Sequence, residues 1–148
     1  LGGYLIASGI RSVSQGAKQD FRYEDMQITL TKKFSETDAE NFDFAYSSRD
    51  VLILGLKEEL ALNPALKGYT SSDYAAMVIN NNGLSTSAHT DGGMTVFSYD
   101  TEEGYHYVAY IYQTDDAFWM LQFCTTSKNA EAKADQITRW ARSVTFEE

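Results

Sequence analysis

The stretch from Met94 to Thr125 constrains this chain more than any other. It holds three consecutive strand patterns, Met94–Asp100, Tyr105–Gln113 and Ala117–Thr125, dominated by Tyr, Phe, Trp, Val and Ile. These are the residue types that suit a pleated, packed surface. Two short acidic turns join them, Thr101-Glu102-Glu103-Gly104 and Thr114-Asp115-Asp116, so the stretch reads as an antiparallel meander.

Tight turns put Tyr99 opposite His106 and Tyr110 opposite Trp119, and side chains then sort by the two-residue period. One face carries Phe97, Tyr99, His106, Tyr110, Tyr112, Trp119 and Phe123; the other carries Val96, Tyr107, Ile111, Phe118, Met120 and Cys124. Neither face is polar, whereas a sheet with one wet face alternates apolar with charged residues. Both sides therefore need cover. The expected fold is α/β (α+β): a mainly antiparallel sheet of about six to seven strands with helices on both faces, a three-layer sandwich.

The remaining elements follow from pattern and punctuation. Met26–Leu30 alternates as a short strand, and Phe34 anchors the charged, loop-like run from Lys32 to Asn41. Phe42–Ser48 and Val51–Lys57 read as a strand pair turning at Ser48-Arg49-Asp50. Thr70–Asn82 is a helix capped by Thr70 or Ser71, with Asp73 in its first turn and Gly83 as its stop. Leu84 to Gly93 reads as a polar loop. Thr126 or Ser127 caps a second helix running to about Arg142, and Val144–Phe146 reads as a terminal edge strand. Residues 21–148 form one domain. Residues 1–20 are an N-terminal segment whose apolar start, Leu1–Ile10, suits either the end of a membrane anchor or a packed helix; ten residues are too few to span a bilayer by themselves.

The 148 residues carry a formal charge of −9, which argues against nucleic acid as a partner. No Lys or Arg occurs between Lys67 and Lys128, while seven carboxylates do. The meander therefore projects a negative field suited to a basic partner protein, or its acidic turns simply keep an aromatic sheet soluble. The lone cysteine excludes an internal disulfide.

Catalytic signatures are missing from the sequence. It has no phosphate-cradling glycine loop, no nucleophile elbow and no zinc-ligand spacing, and it implies no cofactor. Cys124 and His106 fall on opposite faces of the meander, which forbids a nucleophile–base pair. Instead His106 packs between Tyr99 and Phe123. The ten tyrosines offer the main functional signal. Were one helical layer incomplete, Tyr99, Tyr110, Tyr112 and Trp119 would line a groove for a peptide or small apolar ligand. The exposed tip carboxylates Glu102 and Glu103 are the candidate contacts for a basic partner, with His106 nearby. Asp91, Asp115 and Asp116 meet at one sheet end as a weak calcium candidate without the spacing of a calcium loop.

The order of elements resembles the PsbP-like superfamily. The resemblance rests on Ile28–Leu30 with Phe34, the strand ending Val51–Leu56, the helix Ser71–Asn82, the strands around Tyr107–Tyr110 and Phe118–Phe123, and Trp140 running into Val144–Phe146. It covers about Met26 to Glu147. Members include photosystem extrinsic proteins, a nuclear Ran-GTPase release factor, and small bacterial surface lipoproteins or membrane-anchored domains. The resemblance implies a non-enzymatic, extracytoplasmic bacterial domain that binds another protein and meets the membrane only through an N-terminal tether. It carries over no catalytic residue. The alternative is a small-ligand-binding domain of cystatin- or NTF-like cone shape, with a pocket lined by Tyr110 and Trp119. An enzyme using carboxylates and His106 is a third reading.

Overall fold

A computed structural model describes residues 17–147. Among these residues ten strands and two helices follow one another. First come β1 (Lys18–Tyr23), β2 (Met26–Thr31), β3 (Ser35–Thr37), β4 (Phe44–Ser47), β5 (Leu52–Glu59) and α1 (Ser71–Asn81). They are followed by β6 (His89–Asp91), β7 (Met94–Asp100), β8 (Tyr105–Gln113), β9 (Ala117–Thr126), α2 (Ala130–Arg142) and β10 (Thr145–Phe146). The strands form a seven-stranded antiparallel sheet, β3-β4-β5-β9-β8-β7-β6, and a three-stranded one, β1-β2-β10. The fold is thus α+β and mostly sheet. Where sequence patterning leads to one sheet between helices, the described residues build two sheets and two helices. β9 lies at the centre and is buried along its whole length except at Thr126, as suits a strand apolar on both faces.

Three strands escape sequence reading. β1 and β3 are largely exposed, and β6 lies in a run read as polar loop. Each is defined by its ladder partner and not by its own periodicity, since β1 pairs with β2 and β6 with β7. β1 also takes in Lys18–Asp20, so the folded region reaches back across the expected boundary at residue 21. Leu1–Ile10, the proposed anchor segment, lies outside the described residues. Among those described, no helix is long and apolar enough to cross a membrane.

The helix ends show how sequence fixes local structure. The Thr70 hydroxyl accepts from the Asp73 N–H at 3.1 Å, and the Asp73 carboxylate accepts from the Thr70 N–H at 2.9 Å. This reciprocal box satisfies two donors that a helix start leaves orphaned. α2 starts differently. A 3-10 turn, Ser127–Asn129, precedes it, and Asn129 makes no side-chain cap. The expected cap from Thr126 or Ser127 does not form, because the 3-10 turn sets both residues back from the start of α2; Thr126 makes no side-chain cap and the Ser127 hydroxyl donates to Asp100 Oδ1 at 3.0 Å.

The meander register differs from expectation in one decisive place. Tyr99 pairs with Tyr107 and Asp100 with His106, so the β7–β8 ladder is offset by one residue from the expected Tyr99–His106 pairing. The cause is the turn. Thr101 and Tyr105 still bond (Thr101 N–H to Tyr105 O, 2.8 Å), and Gly104 adopts a φ of +92°. A three-residue loop closing on a left-handed glycine is a common hairpin solution. One residue of offset turns every β7 side chain to the other face. In the β8–β9 ladder Tyr112, not Tyr110, faces Trp119, an offset of two that preserves the faces.

Two buried clusters result. The first joins Met26, Ile28 and Leu30 of β2 to Tyr110, Trp119, Leu121 and Phe123 of the large sheet, and to Ile137 and Ala141 of α2. Tyr112 ties this layer down by donating to the Ala141 carbonyl at 2.7 Å. The second joins Tyr74, Ala75 and Ile79 of α1 to Phe97, Ala109, Ile111, Phe118 and Met120.

Candidate functional site

α1 packs over only part of its sheet face. Beyond it, toward the β4–β5 turn, the face continues as Tyr99, Tyr107, Gln122 and Cys124. Tyr99 and Tyr107 stack across the ladder with ring centroids 5.0 Å apart and planes 8° from parallel. The Tyr99 hydroxyl donates to Gln122 Oε1 at 2.7 Å, fixing both side chains. Two clefts open on this face. One, of about 400 Å³, runs between α1 and the sheet past Leu56, Tyr99, Met120 and Gln122. The other, of about 410 Å³, is lined by Arg49, Leu52, Tyr105, Tyr107, Cys124 and Asn129.

The electrostatics of the floor favour neutral, inert groups. Burial pushes the Tyr107 hydroxyl up to about 12, with the Cys124 thiol adding to the effect. Burial likewise raises Tyr99 and Cys124. A thiol raised in this way is a poor nucleophile, because the thiolate is the reactive form. The face offers flat, amphipathic contact area and hydrogen-bonding tips, which is what a binding surface uses.

The β7–β8 tip borders this floor. Glu102, Glu103 and Gly104 are exposed, and Tyr105 beside them retains 45% of its surface, one of two large hydrophobic residues left exposed among those described. His106 Nδ1 lies 3.0 Å from Asp100 Oδ1, which also accepts from Ser127. These bonds from His106 and Ser127 hold the Asp100 carboxyl below its ordinary range.

The structure sorts the sequence-derived candidates as follows. Tyr99 lies on the open floor. Tyr110, Tyr112 and Trp119 lie on the opposite face: Trp119 is 0% exposed and Tyr110 2%, both in the first cluster. The expected four-residue aromatic groove therefore does not exist as drawn, because the one-residue offset at Gly104 separates Tyr99 from the other three. The same burial leaves Tyr110 and Trp119 unable to line a cone-shaped ligand pocket. His106 is not packed between Tyr99 and Phe123; it pairs with Asp100 at the surface and faces Thr125 across the ladder. His106 and Cys124 do lie on opposite faces. Glu102 and Glu103 sit at the exposed tip, as their turn position implies. Asp91 is held by Arg142 Nη2 at 3.4 Å, and Asp116 turns its side chain to the Thr114 hydroxyl at 3.0 Å. Among the described residues no group of three or more His, Cys, Asp or Glu converges as metal ligands. Sequence reading missed Tyr107, Gln122 and Cys124 as the floor. The only signal was Gly104 in the turn, the residue that permits the offset.

No protein-family model matches the chain, and no curated protein matches it in sequence. Solved structures do. The chain is similar to the solution structure of cyanobacterial PsbP from Synechocystis sp. PCC 6803, with a TM-score of 0.62 at 10% identity, covering 88% of this chain and 93% of that one. It is also similar to a crystal structure from Bacteroides thetaiotaomicron VPI-5482, with a TM-score of 0.55 at 12% identity and 89% of this chain covered. The match spans 49% of that longer chain. The fold is PsbP-like.

Proposed function

We propose that this chain is a non-catalytic, protein-binding domain, held outside the cytoplasmic membrane by a tether preceding the described fold, which engages a basic partner. The observation that supports this most is the juxtaposition of a tyrosine floor, only partly covered by the described residues, with an exposed acidic tip. Tyr105 at that tip is large, partly apolar and solvent-facing, and Glu102 and Glu103 flank it. Tyrosine supplies rigid contact area at low entropic cost, while rim carboxylates steer a basic partner and select it by sign. The raised thiol and phenols of the floor favour contact over chemistry. The likeness to cyanobacterial PsbP bears on the fold and is compatible with this reading.

The test uses a synthetic peptide alternating Lys with Leu, titrated calorimetrically against the chain. Replacing both Glu102→Gln and Glu103→Gln should weaken binding by about two- to tenfold at low salt and flatten its salt dependence. Tyr107→Ala should weaken it without altering the salt slope. Unchanged affinity in both variants removes the floor and tip from the contact surface. Tethering is checked separately, by adding protease to intact cells expressing the full-length gene; a protected domain overturns it.

A further inference from the structure

A third cleft stands behind the β4–β5 turn, on the side of the first cluster. It encloses about 560 Å³ and is lined by Lys33, Arg49, Lys133, Gln136 and Trp140, with Asp50. Three cations thus meet one carboxylate in a chain whose formal charge is −9. Among the described residues, Lys133 has one ion-pair partner, Asp50 Oδ2 at 3.8 Å, while Arg49 and Lys33 have none. The three come from separate places in the sequence: the turn after β2, the β4–β5 turn, and the fourth residue of α2. Lys133 also stands where a helix disfavours it, because the start of α2 carries the positive end of the dipole. The floor is fixed by packing, since Phe34 meets Trp140 edge-on with ring centroids 5.2 Å apart.

We propose that this cleft binds a phosphate-bearing anion, with Lys33, Arg49 and Lys133 as its donors. A phosphate offers several acceptor oxygens and up to two negative charges, so it can engage a guanidinium fork and two ammonium groups together. A single carboxylate would leave at least one cation unmatched. The positive end of α2 adds to the same field. The chemistry is common to a free phosphomonoester and to a phospholipid headgroup, and the experiment separates the two sources. It does not rest on the proposed protein partner, whose tested contacts are Glu102, Glu103 and Tyr107, although Arg49 borders both clefts.

The full chain is titrated with glycerol 1-phosphate by calorimetry, and in parallel sedimented with phosphatidylcholine vesicles with and without phosphatidylglycerol. Saturable binding of glycerol 1-phosphate that falls by about tenfold or more in Arg49→Gln supports a soluble ligand. Sedimentation only with phosphatidylglycerol vesicles, lost in the triple variant Lys33→Gln, Arg49→Gln, Lys133→Gln, supports a headgroup. Arg49→Lys, which keeps the charge but not the fork, should retain part of the binding in either arm. Thermal melts confirm that the variants fold, as all three side chains lie at the surface. Binding in neither arm, or binding that the triple variant leaves unchanged, overturns the proposal.

Discussion

Gly55 faces Phe44 across the β4–β5 ladder, and a Cβ built on Gly55 would fall within the Phe44 ring. The glycine is there to let the ring lie flat on the backbone, where it stacks with Tyr23 at 4.7 Å. Gly55→Ala should therefore destabilise the protein by about 1–3 kcal/mol through overpacking. Urea unfolding of that variant in a Phe44→Leu background should show a smaller cost, since the two residues share the contact. Equal costs in both backgrounds would disprove the steric account. Lys57 is the second residue-scale case. Its side chain is 10% exposed and its ammonium lies 2.7 Å from Glu24 Oε1, over the Trp119 ring at 5.0 Å. Glu24 adopts a left-handed backbone, φ 51°, in the two-residue turn between β1 and β2. A lysine in a strand pattern gives no hint of this, because its partners lie far away in sequence and meet it only after the sheets pack.

Among elements, α1 was the most legible. Thr70, Asp73 and Gly83 announce both its ends, and the capping box forms as such boxes do. Thr70→Ala should cost about 1 kcal/mol, read as a lowered urea midpoint with an unchanged slope. A loss well below that would mean that packing of Tyr74 and Ile79, not the cap, sets the helix start. The meander strands were equally legible in extent, but not in register. Their length follows from a run of β-favouring residues bounded by turn residues. Register depends on whether the loop closes with two, three or four residues, and Gly104 allows several closures. That one ambiguity assigned Tyr99 to the wrong face and hid the floor of Tyr107, Gln122 and Cys124. The short edge strands β3 and β6 were invisible for a related reason: a strand held by one neighbour needs no apolar periodicity.

For the whole molecule, the aromatic content becomes a pH dependence. Burial pushes the Tyr46 and Tyr107 hydroxyls up to about 12, and raises Tyr74 and Tyr112 as well. A phenol raised on folding stabilises the native state in full below its unfolded value near 10, and that contribution is lost as pH rises toward the folded value. Stability should therefore fall steeply above pH of about 10. The tyrosinate absorbance of native protein should also lag behind that of unfolded chain. Ten tyrosines titrating together near 10 while the fold persists would contradict the burial. At this scale the sequence by itself determined the α+β class, the extent of the meander strands, the helices and the acidic balance. These rest on period, propensity and charge, which are local. Only the tertiary structure decided which face each tyrosine takes, that a second sheet and not helix alone covers Trp119, and that Lys33, Arg49 and Lys133 share a cleft. Such facts depend on loop closure and on pairings between distant segments, and no local pattern records them.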